Sequence, residues 1–212
     1  MLLYRVVRLL VVAICKALFR ETIDGKENVP TDRPFVLAPV HRSFLDFALV
    51  AGVTRRRLRY MGKAELWKYK WGGRFIEALG AFPVHRGAAD REALTMSIAV
   101  VEAGEPLVLF PEGTRQKGPV VQELFEGAAY VAARTGVPIV PVGIGGSERA
   151  LQKGKTLPRP VKVHVIVGTP IEPPARSESG RVSRKAVHAL TEQLQVEVQR
   201  LFDEAQAAAL RG

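Results

Sequence analysis

Phe35-Val36-Leu37-Ala38-Pro39-Val40-His41-Arg42-Ser43-Phe44-Leu45-Asp46 carries two structural periods in twelve residues. Phe35–Ala38 is an apolar run of strand length, Pro39 ends it, and from Phe44 to Ala51 the apolar positions recur at helical spacing. A strand delivered straight into a helix is the unit from which α/β folds are built. His41 and Asp46 would lie about 140° apart on one continuous helix and could not face each other. With Ser43 as N-cap, however, Asp46 falls in the first helical turn, close to a histidine just before the helix. An aspartate that accepts the Nδ1 proton fixes the tautomer of an imidazole and leaves Nε2 as a base. The plainer alternative is that Asp46 favours the helix N-terminus and His41 is a loop residue.

Outward from this stretch the same alternation repeats. Strand-length runs occur at Leu58–Met61, Ala81–Val84, Leu107–Phe110, Ile139–Ile144 and Val161–Val167. Helical patterns occupy Gly72–Leu79, Arg91–Ala103 with Asp90 as N-cap, Glu123–Arg134 ended by Gly136, and Arg181–Leu210. Pro170 to Gly180 reads as a surface connection. Val187, Leu190, Leu194, Val198 and Leu201 in the last helix share a face. The expectation is a single α/β domain with a largely parallel central sheet covered by helices.

Two further segments follow strands. Phe110-Pro111-Glu112-Gly113-Thr114-Arg115 is a turn presenting an acid, a hydroxyl and a guanidinium together, and its N–H groups can bind an oxyanion. Arg86 ends Gly80-Ala81-Phe82-Pro83-Val84-His85-Arg86. Parallel strands bring their carboxyl ends to one sheet edge, where ligands of open α/β sheets bind. His41, Arg86 and Arg115 would converge there on a phosphorylated substrate.

Charge narrows the partner. The 212 residues hold 31 Lys plus Arg against 21 Asp plus Glu, a net charge of +10, with 47% hydrophobic content. That apolar fraction excludes a disordered chain, and the base excess implies nucleic acid, a membrane surface or phosphate. Between Arg55 and Arg91 ten cations face three acids, interleaved with Tyr60, Trp67, Tyr69, Trp71 and Phe75. Such a mixture suits lipid headgroups, single-stranded nucleic acid or a solvated face with some core aromatics. The single cysteine, Cys15, excludes an intrachain disulfide.

The first twenty residues are apolar, yet their longest uncharged run, Leu9 to Cys15, is seven residues. A spanning helix needs about 20. Arg5, Arg8, Lys16 and Arg20 cluster within an arc of about 120° on a helix. Residues 1–22 are therefore expected to form an amphipathic membrane-interface helix ahead of a domain at 23–212; packing of that helix on the chain's own core is the alternative. Spread cations and the lack of a small-x-small site argue against a signal peptide. P-loop, nucleophile-elbow, H-x-x-x-H zinc and dinucleotide patterns are absent.

Together the motifs resemble the glycerolipid acyltransferase family that includes 1-acylglycerol-3-phosphate acyltransferase. Four blocks stand in the family's order: His41 to Asp46 as H-x4-D, Gly80 to Arg86, Phe110 to Arg115 as F-P-E-G-T-R, and Val137 to Val142 as V-P-I-V-P-V. Lys63-Ala64-Glu65-Leu66 is similar to a K-x-E-L segment often found after the first block, and the similarity spans roughly residues 24 to 170. The resemblance implies transfer of a fatty acyl group from acyl-CoA or acyl carrier protein to a lysophospholipid hydroxyl, giving phosphatidate. It implies His41 as general base and Asp46 as its orienting partner. Lys63, Arg86 and Arg115 would be phosphate ligands, and Glu112, Gly113 and Thr114 a substrate-binding turn. Neither a metal nor a cofactor beyond the acyl thioester is expected, and no nucleic-acid partner. The implied location is peripheral or monotopic on the cytoplasmic face of a membrane. Val40 stands where asparagine commonly precedes the histidine and Gln116 where serine usually follows the third block, which leaves another lysolipid open as acceptor.

Overall fold

In a computed structural model, residues 2–84, 90–152, 154–174 and 182–211 are described. Among the described residues seven strands form one sheet: β1 (Thr22–Asp24), β2 (Val36–Pro39), β3 (Arg59–Lys63), β4 (Ala81–Val84), β5 (Leu107–Val108), β6 (Ile139–Gly145) and β7 (His164–Val167), in the order β1-β7-β6-β2-β5-β3-β4. Strands β2 to β6 are mutually parallel, β7 is antiparallel to β6, and β1 is parallel to β7. The expected largely parallel sheet is present. Its centre, β2 and β6, is buried at every position, as a sheet covered on both faces requires.

The helices are α1 (Leu2–Phe19), α2 (Asp46–Leu49), α3 (Lys70–Ala78), α4 (Asp90–Glu102), α5 (Gly127–Thr135), α6 (Ser147–Ala150) and α7 (Arg184–Leu210). Helix α5 packs on both α4 and α7, and the three cover β2, β5, β6 and β7, whereas α1 packs on α2 and on the 3₁₀ turn Val50–Gly52. All five expected inward residues of α7 are buried, joined by Phe202 and Ala205. Each large side chain so removed from water contributes about 1.5–3 kcal/mol. The approach of α7 to β6 is so close that a Cβ at Gly143 would stand 2.2 Å from the Leu201 carbonyl oxygen, and one at Gly145 2.1 Å from that of Ala205.

Several boundaries differ from the sequence reading. β1 had no expected counterpart: three residues at a sheet edge give no period to read. Strand β5 ends at Val108, with one last bond from the Leu109 N–H to the Leu37 carbonyl of β2, because the chain must begin turning by Phe110. The helix expected from Glu123 starts at Gly127, since Val121, Leu124 and Phe125 donate their N–H groups to Gln199, Gln195 and the Pro111 carbonyl instead. Asp90 is the first residue of α4 rather than the residue before it. Gly136 ends α5 at φ 72°, as anticipated. Arg86 and the later part of the Pro170–Gly180 connection lie outside the described residues.

Helix α1 is amphipathic in an unusual sense. Only Tyr4, Cys15 and Phe19 are buried, while Leu2, Leu3, Val6, Leu9, Leu10 and Ile14 form an exposed apolar stripe. No described helix is long and apolar enough to cross a membrane. The basic aromatic segment divides likewise. Tyr60 is packed inward with its hydroxyl donating to the Phe47 carbonyl, and burial pushes its phenol pKa up. Tyr69, Trp71 and Phe75 remain exposed, Trp71 by 84%.

Candidate active site

Because β2 lies between β5 and β6, the turns leaving β2 and β5 are neighbours at the carboxyl edge of the sheet. His41 sits in the first of them, 7% exposed. Its Nδ1 is 2.9 Å from Oδ2 of Asp46, the first residue of α2. The same oxygen accepts the backbone N–H of Arg42 at 2.7 Å and of Ser43 at 2.8 Å. The expected N-cap role of Ser43 is thereby corrected. The N-cap position is Leu45, and the aspartate carboxylate reaches back to the turn because it is the stronger, charged acceptor for those N–H groups. Nε2 of His41 has no hydrogen-bond partner among the described residues, and Asp46 Oδ1 is buried without one.

Aromatic rings fix the plane of the imidazole. Phe110 lies 4.1 Å from it, tilted by 30°, and Phe47 meets its edge at 5.4 Å. Phe47 and Phe110 also touch each other, with centroids 4.7 Å apart. Neither ring contact was foreseen from sequence, although the phenylalanine opening the third block was in view.

The second turn closes on itself and on the first. Gly113 N–H donates to the Phe110 carbonyl and Thr114 N–H to that of Glu112, while Gln116 N–H donates to the His41 carbonyl at 2.9 Å. Gly113 adopts φ 68°, and a Cβ there would meet the ring of Phe125 at 2.7 Å. Gly113 and Thr114 are exposed and Arg115 is half-buried. Glu112 is different: it is 1% exposed, its carboxylate turned toward the His41 turn. Lys63 ends β3, on the strand next to β5, at the same sheet edge. The structure thus brings His41, Asp46 and the Glu112–Arg115 turn together and puts Lys63 at a neighbouring strand end. Arg42 was missed as a participant: it is 2% exposed and joined to Glu112, and a charge beside His41 in sequence gives no sign of burial.

A family model described as Acyltransferase matches residues 20–145, more than half of the chain. The chain belongs to the acyltransferase family. A 1-acyl-sn-glycerol-3-phosphate acyltransferase of Bacillus subtilis is 33% identical over 150 residues, covering 70% of this chain and 72% of that protein. A lyso-ornithine lipid O-acyltransferase of Pseudomonas aeruginosa is 26% identical over 142 residues, 66% of this chain and 53% of that one. The chain spans 45% of a plastid 1-acyl-sn-glycerol-3-phosphate acyltransferase of Brassica napus, at 29% identity over 157 residues and 72% of this chain. The solved structure of the 1-acyl-sn-glycerophosphate acyltransferase PlsC from Thermotoga maritima superposes with a TM-score of 0.75 at 26% identity, covering 93% of this chain and 79% of that one. This acyltransferase is therefore an enzyme of lipid metabolism whose mixed α/β fold with a mostly parallel sheet is that of the family.

Proposed function

We propose that this acyltransferase moves a fatty acyl group from an acyl thioester, acyl-CoA or acyl carrier protein, to the free hydroxyl of 1-acylglycerol 3-phosphate, yielding phosphatidate. The observation that carries the reading is the His41–Asp46 pair set against the Glu112–Arg115 turn at one sheet edge. Nε2 of His41 takes the hydroxyl proton as the acceptor oxygen attacks the thioester carbonyl. Asp46 holds Nδ1–H and stabilises the imidazolium. The N–H groups of Gly113 and Thr114, anticipated as oxyanion donors, are bonded within the turn and hold its shape instead. The C–S bond then breaks, and the departing thiolate receives the proton from Nε2. Arg115, Lys63 and Arg86 supply cations for the acceptor phosphate, and Gly113 and Thr114 shape its seat.

The exposed stripe of α1, with Tyr69, Trp71 and Phe75, suits an anionic bilayer surface, where aromatic rings and basic side chains settle at headgroup depth. We place the enzyme on the cytoplasmic face of a membrane, with α1 (Leu2–Phe19) as its interfacial helix and the sheet domain from β1 onward, which begins at Thr22 rather than at 23, as the catalytic domain. A second reading keeps the chemistry and changes the acceptor to a lyso-amino-acid lipid; similarity to the Pseudomonas aeruginosa relative favours it.

One assay separates them. Purified enzyme receives lysophosphatidate and a lyso-ornithine lipid in equal amounts in vesicles, with palmitoyl-CoA or palmitoyl acyl carrier protein, and products are weighed by mass spectrometry. Phosphatidate as the main product supports the first reading, and acylated ornithine lipid the second. Failure to acylate either with either donor sinks both.

A further inference from the structure

We propose that Arg42 and Glu112 form a buried positioning pair that fixes the backbone of His41, and that the Glu112 carboxylate is not a substrate ligand. The inference rests on the reading of His41 as the base.

Every acceptor site of the Glu112 carboxylate that faces the turn is taken. Oε2 accepts the His41 backbone N–H at 3.0 Å and Arg42 Nη1 at 2.6 Å, while Oε1 accepts Arg42 Nη1 at 2.8 Å and the Gln122 N–H at 3.1 Å. With 1% exposure it offers nothing to a ligand. Arg42 spends its donors equally inward. Besides Glu112, its Nη1 reaches the His41 carbonyl at 3.1 Å, Nη2 the Val120 carbonyl at 3.1 Å and Nε the Gly118 carbonyl at 3.3 Å. Its guanidinium also lies 4.8 Å over the ring of Phe202 on α7.

His41 is the residue on which these bonds converge. Its N–H is held by Glu112, and its C=O by Arg42 and by Gln116 N–H. Its ring is held by Asp46 and Phe110. Both backbone groups and the side chain are therefore fixed, which sets where Nε2 points. Such precision matters, because a misplacement of about 1 Å at a reacting group costs about 10²-fold in rate. Replacing a buried ion pair by apolar groups is often neutral for folding, so folding and placement can be separated by substitution.

The experiment compares Glu112→Gln, Arg42→Met and the apolar double variant Arg42→Met/Glu112→Leu, with melting temperature, kcat, acceptor KM and the ¹⁵N-histidine NMR spectrum as readouts. Both single variants unfold more easily, because each leaves a buried group without its partner. The double variant recovers melting temperature but keeps kcat about 10²-fold down with acceptor KM within about twofold of the parent. In all three, the protected Nδ1–H signal of His41 broadens. Recovery of kcat in the double variant overturns the proposal, and so does a raised acceptor KM at unchanged kcat in Glu112→Gln. Should the parent enzyme acylate no lysolipid, the substrate reading fails while the NMR signal still decides this one: broadening upholds the pair, and an unchanged signal overturns it.

Discussion

The ring of Phe110 covers one face of the His41 imidazole, 4.1 Å between centroids and tilted by 30°. Phe47 closes the edge at 5.4 Å, so the imidazole meets solvent on a small part of its surface. The ring contact adds about 0.5–1.5 kcal/mol beyond burial and limits rotation about χ2. Phe110→Ala is expected to lower kcat by about tenfold, in line with loss of orientation rather than of chemistry, while Phe110→Tyr stays close to the parent. Steady-state thiol release measures both.

Asp46 serves one imidazole and two backbone N–H groups through a single oxygen. Asp46→Asn keeps the acceptor but presents an N–H₂ that competes with Nδ1–H and weakens the hold on the tautomer. Activity is expected to fall by about 10²–10⁴-fold with little change in melting temperature. Asp46→Ala additionally strips the turn of its acceptor, so its melting temperature falls as well. Circular dichroism melts alongside the rate assay distinguish the two effects.

Strand β6 and helix α7 touch backbone to backbone at Gly143, where a Cβ would stand 2.2 Å from the Leu201 carbonyl oxygen. Gly143→Ala must push α7 off the sheet and is expected to cost about 3 kcal/mol. Urea denaturation checks it. An unchanged midpoint would mean that the helix can shift at no cost.

Glu21 makes stability depend on pH. It is 6% exposed with both carboxylate oxygens lacking hydrogen-bond partners among the described residues, and burial pushes its pKa up to about 7 from 4.5 against the pull of Lys26 and Lys16. The folded state therefore holds a proton that the unfolded state has already lost between those two values. That contribution is fully present below the unfolded pKa and disappears as pH rises through about 7. At about 1.36 kcal/mol per unit, the loss by pH 8 is about 3 kcal/mol. Glu21→Gln should flatten this slope and be more stable than the parent at pH 8; equal slopes in urea titrations at pH 5, 6.5 and 8 would refute it.

What could be read from the sequence was what is local. Phe35–Asp46 announced strand, turn and helix because each lies within a few residues of its cause, and the five spaced residues of α7 announced a buried face. Edge strand β1 was illegible, since its pairing partner begins 142 residues later at His164. Arg42 and Glu112 are 70 residues apart and meet only because β2 pairs with β5. Neighbouring charges in a loop look like solvated surface until that pairing is known. The stacking of Phe110 on His41 was hidden for the same reason, since Phe110 follows β5 whereas His41 and Phe47, the latter on α2, follow β2.

Helix α1 is fastened at both ends. Near its start the Tyr4 hydroxyl donates to the Arg56 carbonyl and accepts the Leu58 N–H, just ahead of β3; at its end the Phe19 carbonyl accepts the Val163 N–H, just ahead of β7. A helix so tied is a rigid runner, not a tether: if its stripe rests on lipid, the standoff between the bilayer and His41 is set by the sheet itself. Substrate would then be met by lateral diffusion within a plane. Turnover would track the mole fraction of lysolipid in the leaflet, and diluting vesicles in buffer at fixed composition would leave the rate per bound enzyme unchanged.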